Sequence, residues 1–174
     1  AVKSFPDNEE LHYSLFLTYL ALEKEPEALA LLKTQTPKDT YFLNYLKNWL
    51  EYLFVNERYD DFDNFVKVYN LDATAFVPEI VDIRIRRALC SNDYAATAYF
   101  LQNMKESSLQ FQYYQALLLI NEGKEQQADS LLTVLANSGK AEIAVPAYLE
   151  RLKLLFRRNP SSAIEQLQTY LKQA

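Results

Sequence analysis

Glycine is nearly missing from this chain. Two glycines and six prolines in 174 residues leave few of the turn residues that strands and hairpins demand, whereas Leu, Ala, Glu, Lys and Gln, all good helix formers, dominate. The composition therefore reads as all-α. Cys90 is the single cysteine, which excludes an internal disulfide and any multi-cysteine zinc site. No apolar run exceeds five residues, as at Ala116–Ile120, against about 18 needed to cross a bilayer, and no signal-peptide pattern opens the chain. Membrane insertion by this segment is not expected. Basic residues never run longer than the pairs Arg86–Arg87 and Arg157–Arg158, and 18 Lys and Arg against 23 Asp and Glu give a formal net charge of −5. The basic surface that tracks phosphates is missing, so nucleic acid is not an expected partner. A Gly-rich phosphate loop is missing too.

What is present is a repeat. After Gly123 comes the small Ala128, then Leu131 and Leu132 three and four residues on, one face of a helix. The same figure recurs in KEPEALALL around Ala28, ERYDDFDNFV around Phe62, NDYAATAYFL around Thr97 and NPSSAIEQL around Ala163. The five anchors are 34, 35, 31 and 35 residues apart, and four residues after them stand Leu32, Val66, Leu101, Leu132 and Leu167. Gly123 thus reads as a repeat turn. A longer helical segment precedes each anchor, and start signals mark the boundaries: Asp7 with Glu10 as a capping box, Asp39 before Thr40, Ser107 before residue 108, and Asn159 followed by Pro160. Pro78 and Pro146 belong in first turns, since deeper in a helix each removes a hydrogen bond. Ten helices follow, paired as 8–23 with 26–35, 39–56 with 59–69, 77–91 with 93–105, 108–122 with 124–137, and 144–158 with 160–173.

Helix pairs at this spacing resemble the tetratricopeptide repeat. LHYSLFLTYLALEKEPEALALL carries the family's apolar run with Tyr19 in its first helix, then an acid and alanine opening the second. YYQALLLINEGKEQQADSLL places the small Ala116 twelve residues before the small Ala128, the pairing that lets two helices approach closely. Elsewhere the pattern departs. Phe62 and Thr97 replace the second-helix alanine, Phe16, Leu50 and Ile85 replace the small first-helix residue, and Arg151 falls at that place in the fifth repeat. The resemblance implies a single right-handed α-α superhelix over residues 1–174, a solenoid of about five helix-turn-helix repeats at 8–37, 39–71, 76–106, 108–138 and 142–174. AVKSFPDNEELH looks like a preceding second helix running into a Pro-Asp junction, and LQTYLKQA has no polar capping helix after it, so the chain is expected to be part of a longer repeat-containing protein.

Catalytic combinations are not evident. His12 and Cys90 lie two repeats apart and do not converge on one site; His12 reads as a satisfied packing residue and Cys90 as a small hydrophobe. Asp60, Asp61 and Asp63 crowd a helix start, where carboxylates meet the positive end of the dipole, and the calcium-loop glycine and glutamate are missing. No cofactor, metal or enzymatic activity is expected. Thirteen tyrosines and ten phenylalanines are many for a scaffold; most, including Tyr45, Trp49, Tyr52 and Tyr59, fall at helical spacings that face a neighbouring helix.

The resemblance further implies that one face of each first helix lines a concave groove. That face presents Glu10, Tyr13 and Leu17, then Asn44, Lys47 and Glu51, then Glu79, Asp82 and Arg86, then Gln110, Tyr113 and Leu117, ending near Tyr148 and Leu152. Some relatives hold an acidic peptide terminus with lysines and asparagines there; only Lys47 and Asn44 fit, with Glu51 and Asp82 opposing an anion. The expected function is a non-catalytic protein-interaction scaffold that holds a peptide or partner helix in the groove. The alternative is a helical accessory domain of a larger enzyme or sensor; an RNA-reading helical repeat is opposed by the charge. The sequence fixes no compartment, with the cytoplasm favoured by default.

Overall fold

A computed structural model describes residues 8–71 and 77–173, the side chains of Pro78, Glu79 and Gln173 excepted. Among the described residues there are ten α-helices and no strand: α1 (Glu9–Ala21), α2 (Glu25–Thr34), α3 (Phe42–Val55), α4 (Tyr59–Val68), α5 (Pro78–Cys90), α6 (Tyr94–Leu101), α7 (Leu109–Asn121), α8 (Glu125–Ala136), α9 (Ala141–Arg158) and α10 (Pro160–Gln173). The protein is all-α, and each expected helix stands within a few residues of its place.

The differences at helix ends have local causes. Asn8 caps α1, accepting from the Leu11 N–H at 2.9 Å; Asp7, the expected cap, lies outside the described residues. Helix α3 begins at Phe42 rather than Asp39, because the Asp39 carboxylate accepts from the Thr36 N–H and its carbonyl accepts from the Phe42 N–H at 3.1 Å, closing a turn ahead of the helix. Ser108, not Ser107, caps α7 by accepting from the Phe111 N–H at 3.1 Å. Asn159 caps α10 as expected, with Pro160 at its first position. Pro78 opens α5 as expected, but Pro146 lies inside α9. The helix starts a turn earlier because the Lys140 carbonyl accepts from the Ile143 and Ala144 N–H groups at 2.9 and 2.8 Å. Proline then removes only the bond to the carbonyl of Glu142, an exposed residue that water can serve.

The repeat turn has one backbone form. Glu23, Glu57, Asn92 and Gly123 have positive φ, 55°, 57°, 56° and 74°, and each stands five residues before an anchor, Ala28, Phe62, Thr97 or Ala128. Around three of them the N–H of the next residue reaches back five places, Lys24 to Tyr19 at 2.8 Å, Arg58 to Leu53 at 2.9 Å and Lys124 to Leu119 at 2.9 Å, while the left-handed residue bonds three places back. This double closure satisfies the last carbonyls of the preceding helix. All five anchors are buried, Ala28, Phe62, Thr97 and Ala128 completely and Ala163 nearly so.

The chain divides into two compact units, Ala1–Asn92 and Asp93–Ala174, each with its own core. In the first, α1 packs on α2 and α3, α2 on α3, and α3 on α4 and α5. Its core is aromatic, with Phe16, Tyr45, Trp49, Phe62 and Phe65 interleaved with Leu32, Leu46, Leu50, Leu53 and Ile80. Trp49 therefore packs between helices, its ring 5.8 Å from Tyr52 and 6.2 Å from Phe65. Tyr52 and Tyr59 are only half-buried; the Tyr52 hydroxyl donates to Glu25 on α2 at 2.9 Å, and Tyr59 meets Phe54 on α3. In the second unit α7 packs on α6, α8 and α9, α8 on α9, and α9 on α10. There the core is small and aliphatic: Ala116, Ala128, Leu132, Leu135, Ile143, Ala147 and Leu154. Ala116 and Ala128 are both fully buried, as their pairing in the sequence implies.

Ion pairs join successive helix pairs from acids at recurring places relative to the anchors. Glu25 at the start of α2 holds Arg58, and Glu125 at the start of α8 holds Arg158 at 2.8 Å, each acid three residues before its anchor. One residue after an anchor stand Asp63 and Asp129, which hold Arg87 of α5 and, at 3.0 Å, Arg151 of α9. Arg151, at the place of a small residue, is thus accommodated by an acid opposite it. Asp61 pairs with Arg58 at 2.8 Å, so two members of the acidic cluster face arginines. Two expectations fail. Cys90, the last residue of α5, is exposed rather than packed as a small hydrophobe. His12 is half-buried, yet its Nε2 is buried without a hydrogen-bond partner, so it packs without being satisfied.

Candidate functional site

The strip expected along α1, α3 and α5 is built from residues three, four or seven apart, so each helix contributes one face. In the first unit these faces meet. Asn48 on α3 donates from Nδ2 to the Tyr13 hydroxyl on α1 and to the Asn44 carbonyl, both at 2.8 Å. Arg86 on α5 holds the Glu51 carboxylate on α3 with both terminal nitrogens, one bond measuring 3.0 Å, and its Nε lies 3.1 Å from Asp82. The guanidinium also lies over the Phe54 ring, 5.0 Å from its centre. Tyr13 stacks on Tyr41 at 5.0 Å and meets Tyr45 edge-on at 5.2 Å, and burial pushes its phenol up from the ordinary value.

The electrostatics follow from these bonds. Arg86 sits between two acids and is neutralised, so the positive charge the strip offers outward is that of exposed Lys47, beside exposed Asn44. Leu17 adds an apolar side chain that is 37% exposed. Glu10 is exposed, and the Glu79 side chain lies outside the described residues.

The second unit places its strip residues differently. Gln110 is exposed and Leu117 half-buried on α7. Tyr113 is half-buried as well, and its burial, with the nearby Glu150 carboxylate, pushes its phenol up to about 12. On α9, Tyr148 turns toward α10: its hydroxyl donates to the Gln166 carbonyl at 3.0 Å and its ring stacks on Tyr170 at 4.4 Å. Leu152 is buried.

Sequence reasoning missed two features. Asn48, which ties α1 to α3, is one helical turn beyond Asn44 and was legible as the same face. The second is an apolar groove of about 530 Å³ between α9 and α10, lined by Leu149, Leu152, Phe156, Ala163, Ile164 and Leu167 with Lys153 and Arg157 at its edge. Its signal was the apolar stripe at 164, 167 and 171 on α10 facing that at 149, 152 and 156 on α9. Among the described residues, no group of three or more His, Cys, Asp or Glu is placed to hold a metal ion, and no helix is long and apolar enough to cross a membrane. No protein-family model, curated protein or solved structure matches the chain.

Proposed function

We propose that the chain is a non-catalytic protein-interaction module built from degenerate tetratricopeptide-like repeats, which holds a peptide or partner helix on the faces of its first helices. The repeat reading is supported by the left-handed turn residue five places before four of the anchors and, within the units, by the packing of α1, α3 and α7 each on its own second helix and on the next first helix. One observation carries the functional reading. The faces of α1, α3 and α5 are linked side by side through Tyr13–Asn48 and Glu51–Arg86, leaving Leu17, Asn44 and Lys47 exposed on a braced surface. A rigid surface with apolar, amide and charged groups binds with little ordering cost. Its neutralised arginine favours a ligand with apolar anchors and scattered charge over a purely acidic tail.

The test is to recover partners from a lysate and titrate them against Tyr13→Ala and Lys47→Ala, with exposed Lys67→Ala and Gln127→Ala on α4 and α8 as controls, after melts confirm that all are folded. At least one strip substitution should weaken binding by about 2 kcal/mol, the scale of an interface hot spot. Equal binding by both sets would reject the strip.

A further inference from the structure

The side-chain amide of Asn48 has one admissible orientation. Its Nδ2 lies 2.8 Å from the main-chain carbonyl of Asn44 and 2.8 Å from the Tyr13 hydroxyl. A carbonyl only accepts, so the atom that faces it is the nitrogen and not Oδ1. That nitrogen carries two hydrogens, one for each contact, and the Tyr13 oxygen is therefore the acceptor in its bond with Asn48. The Asn44 carboxamide acts on the same oxygen in the same sense, as a donor that favours the phenolate. Burial outweighs both amides, and the phenol keeps its proton.

A phenol has one hydrogen to give. At Tyr13 it is directed at neither amide nitrogen, and among the described residues no acceptor takes it. Asn48 in turn has Oδ1 left over, with no donor on it among the described residues. Tyr13 on α1 and Asn48 on α3, both half-buried, thus set a hydrogen-bond donor beside an acceptor where the two helices meet. The stack of Tyr13 on Tyr41 at 5.0 Å holds the donor in place.

A peptide group carries the complementary pair, a carbonyl and an N–H. In a helix both are consumed by the helix itself; in an extended segment both are available, and main-chain bonds give such segments their affinity. The surroundings of the pair agree with an extended ligand. A docked helix is held by apolar anchors at i, i+3, i+4 and i+7, whereas here exposed Leu17 stands among exposed Glu10, Asn44 and Lys47. We infer that the strip takes its partner protein as an extended segment, the Tyr13 hydroxyl donating to a main-chain carbonyl and Asn48 Oδ1 accepting from a main-chain N–H. Tyr13 then decides for extended over helical ligands. This rests on the strip being the binding surface, and the experiment separates the two.

The probes are linear peptides of about 12 residues, roughly 40 Å long when extended, selected by phage display on the whole chain and then synthesised with a fluorophore. Those weakened by Leu17→Glu or Lys47→Glu bind the strip. Tyr13→Phe keeps the ring and its stack and removes the hydroxyl. Asn48→Asp is isosteric and sets carboxylate oxygens against the phenol, which turn its proton inward. Each should weaken strip-dependent peptides about tenfold, the scale of a hydrogen-bonding group left unpaired. Melts verify that the variants are folded, and either one suffices to show the loss. Combined, the two should weaken binding no further than Tyr13→Phe alone, because both remove the same outward hydrogen; a mere charge effect of the carboxylate would persist in the Tyr13→Phe background. Nuclear magnetic resonance of the labelled peptide should show extended backbone couplings in the complex. Strip-dependent peptides that ignore both substitutions, lose affinity additively in the double variant or bind as helices overturn the inference and leave the strip standing. Peptides indifferent to both Leu17→Glu and Lys47→Glu, or a selection that yields no peptide, reject the strip itself and the inference with it.

Discussion

Gly123 has a role that can be isolated from packing. A Cβ built there meets nothing within 4 Å, and φ is +74°, so any cost of a side chain is backbone cost. Gly123→Ala should therefore lower the unfolding free energy by about 1 kcal/mol, the penalty of left-handed backbone. No loss in chemical denaturation would mean the turn is not left-handed. Glu23, Glu57 and Asn92 bear that strain in the first three repeats, and Glu57→Gly relieves it while loosening the unfolded chain, two effects of similar size. The sequence disclosed the turn at Gly123 because glycine announces positive φ; glutamate does not, so the equivalence of Glu23 and Glu57 emerged only from backbone angles. Trp49 was legible by periodicity alone. It is 5% exposed among Tyr52 and Phe65, so Trp49→Ala should cost about 3–5 kcal/mol. Its native fluorescence should be that of an indole shielded from water; emission at the wavelength of free indole would contradict the packing.

At the scale of helices, the boundaries were readable because caps and prolines are local chemistry, and they failed where a competing local bond intervened, as at Asp39 and Pro146. What no single element discloses is whether a neighbour covers it. Leu167 fits the repeat as well as Leu132 does, yet one is exposed and the other buried, because burial belongs to the helix that lies on top. The strip residues were legible as faces, but the bonds between Arg86 and Glu51 and between Asn48 and Tyr13 depend on how two helices are set side by side. The pairing of Glu25 on α2 with Arg58, the residue ahead of α4, is of that kind and carries a pH signature. The Arg58 guanidinium, aided by the Tyr52 hydroxyl, holds Glu25 below the ordinary carboxylate range against the opposing effect of burial. A depressed carboxylate contributes stability above its unfolded value of about 4.3 and loses it as pH falls through the folded value. Glu25→Gln should cost up to about 1 kcal/mol at pH near 7, since the pair is partly exposed, and nothing in strong acid. A cost that stays constant with pH would show that the charge does not matter.

For the whole molecule, both units rest on helices packed against near neighbours in the chain, an arrangement of local contacts that favours fast folding. Each unit also holds a tyrosine, buried in the first and half-buried in the second, that reports on its integrity in alkali. Burial pushes Tyr45 in the first unit and Tyr113 in the second up to about 12, against about 10 for an unfolded tyrosine. Below the unfolded value both states hold the proton and the stabilisation is complete. Between about 10 and 12 the unfolded chain releases protons that the folded chain keeps, so stability falls as pH rises, and beyond that the contribution is gone. Denaturation midpoints should therefore be flat up to about pH 9.5 and fall above it, with phenolate absorbance of these two residues appearing only as the chain unfolds. Tyr45→Phe separates burial from bonding. The ring is fully buried and its hydroxyl is buried with no hydrogen-bond partner, a group whose desolvation costs about 1–3 kcal/mol. Removing that oxygen should leave stability at neutral pH unchanged or raised, keep the contacts with Phe16 and Tyr13, and make the alkaline fall shallower by one titrating group. Tyr113→Phe should flatten the fall in the same way. A loss of more than about 1 kcal/mol at neutral pH in Tyr45→Phe would show that the hydroxyl is bonded after all, since that is the net worth of an ordinary intramolecular hydrogen bond.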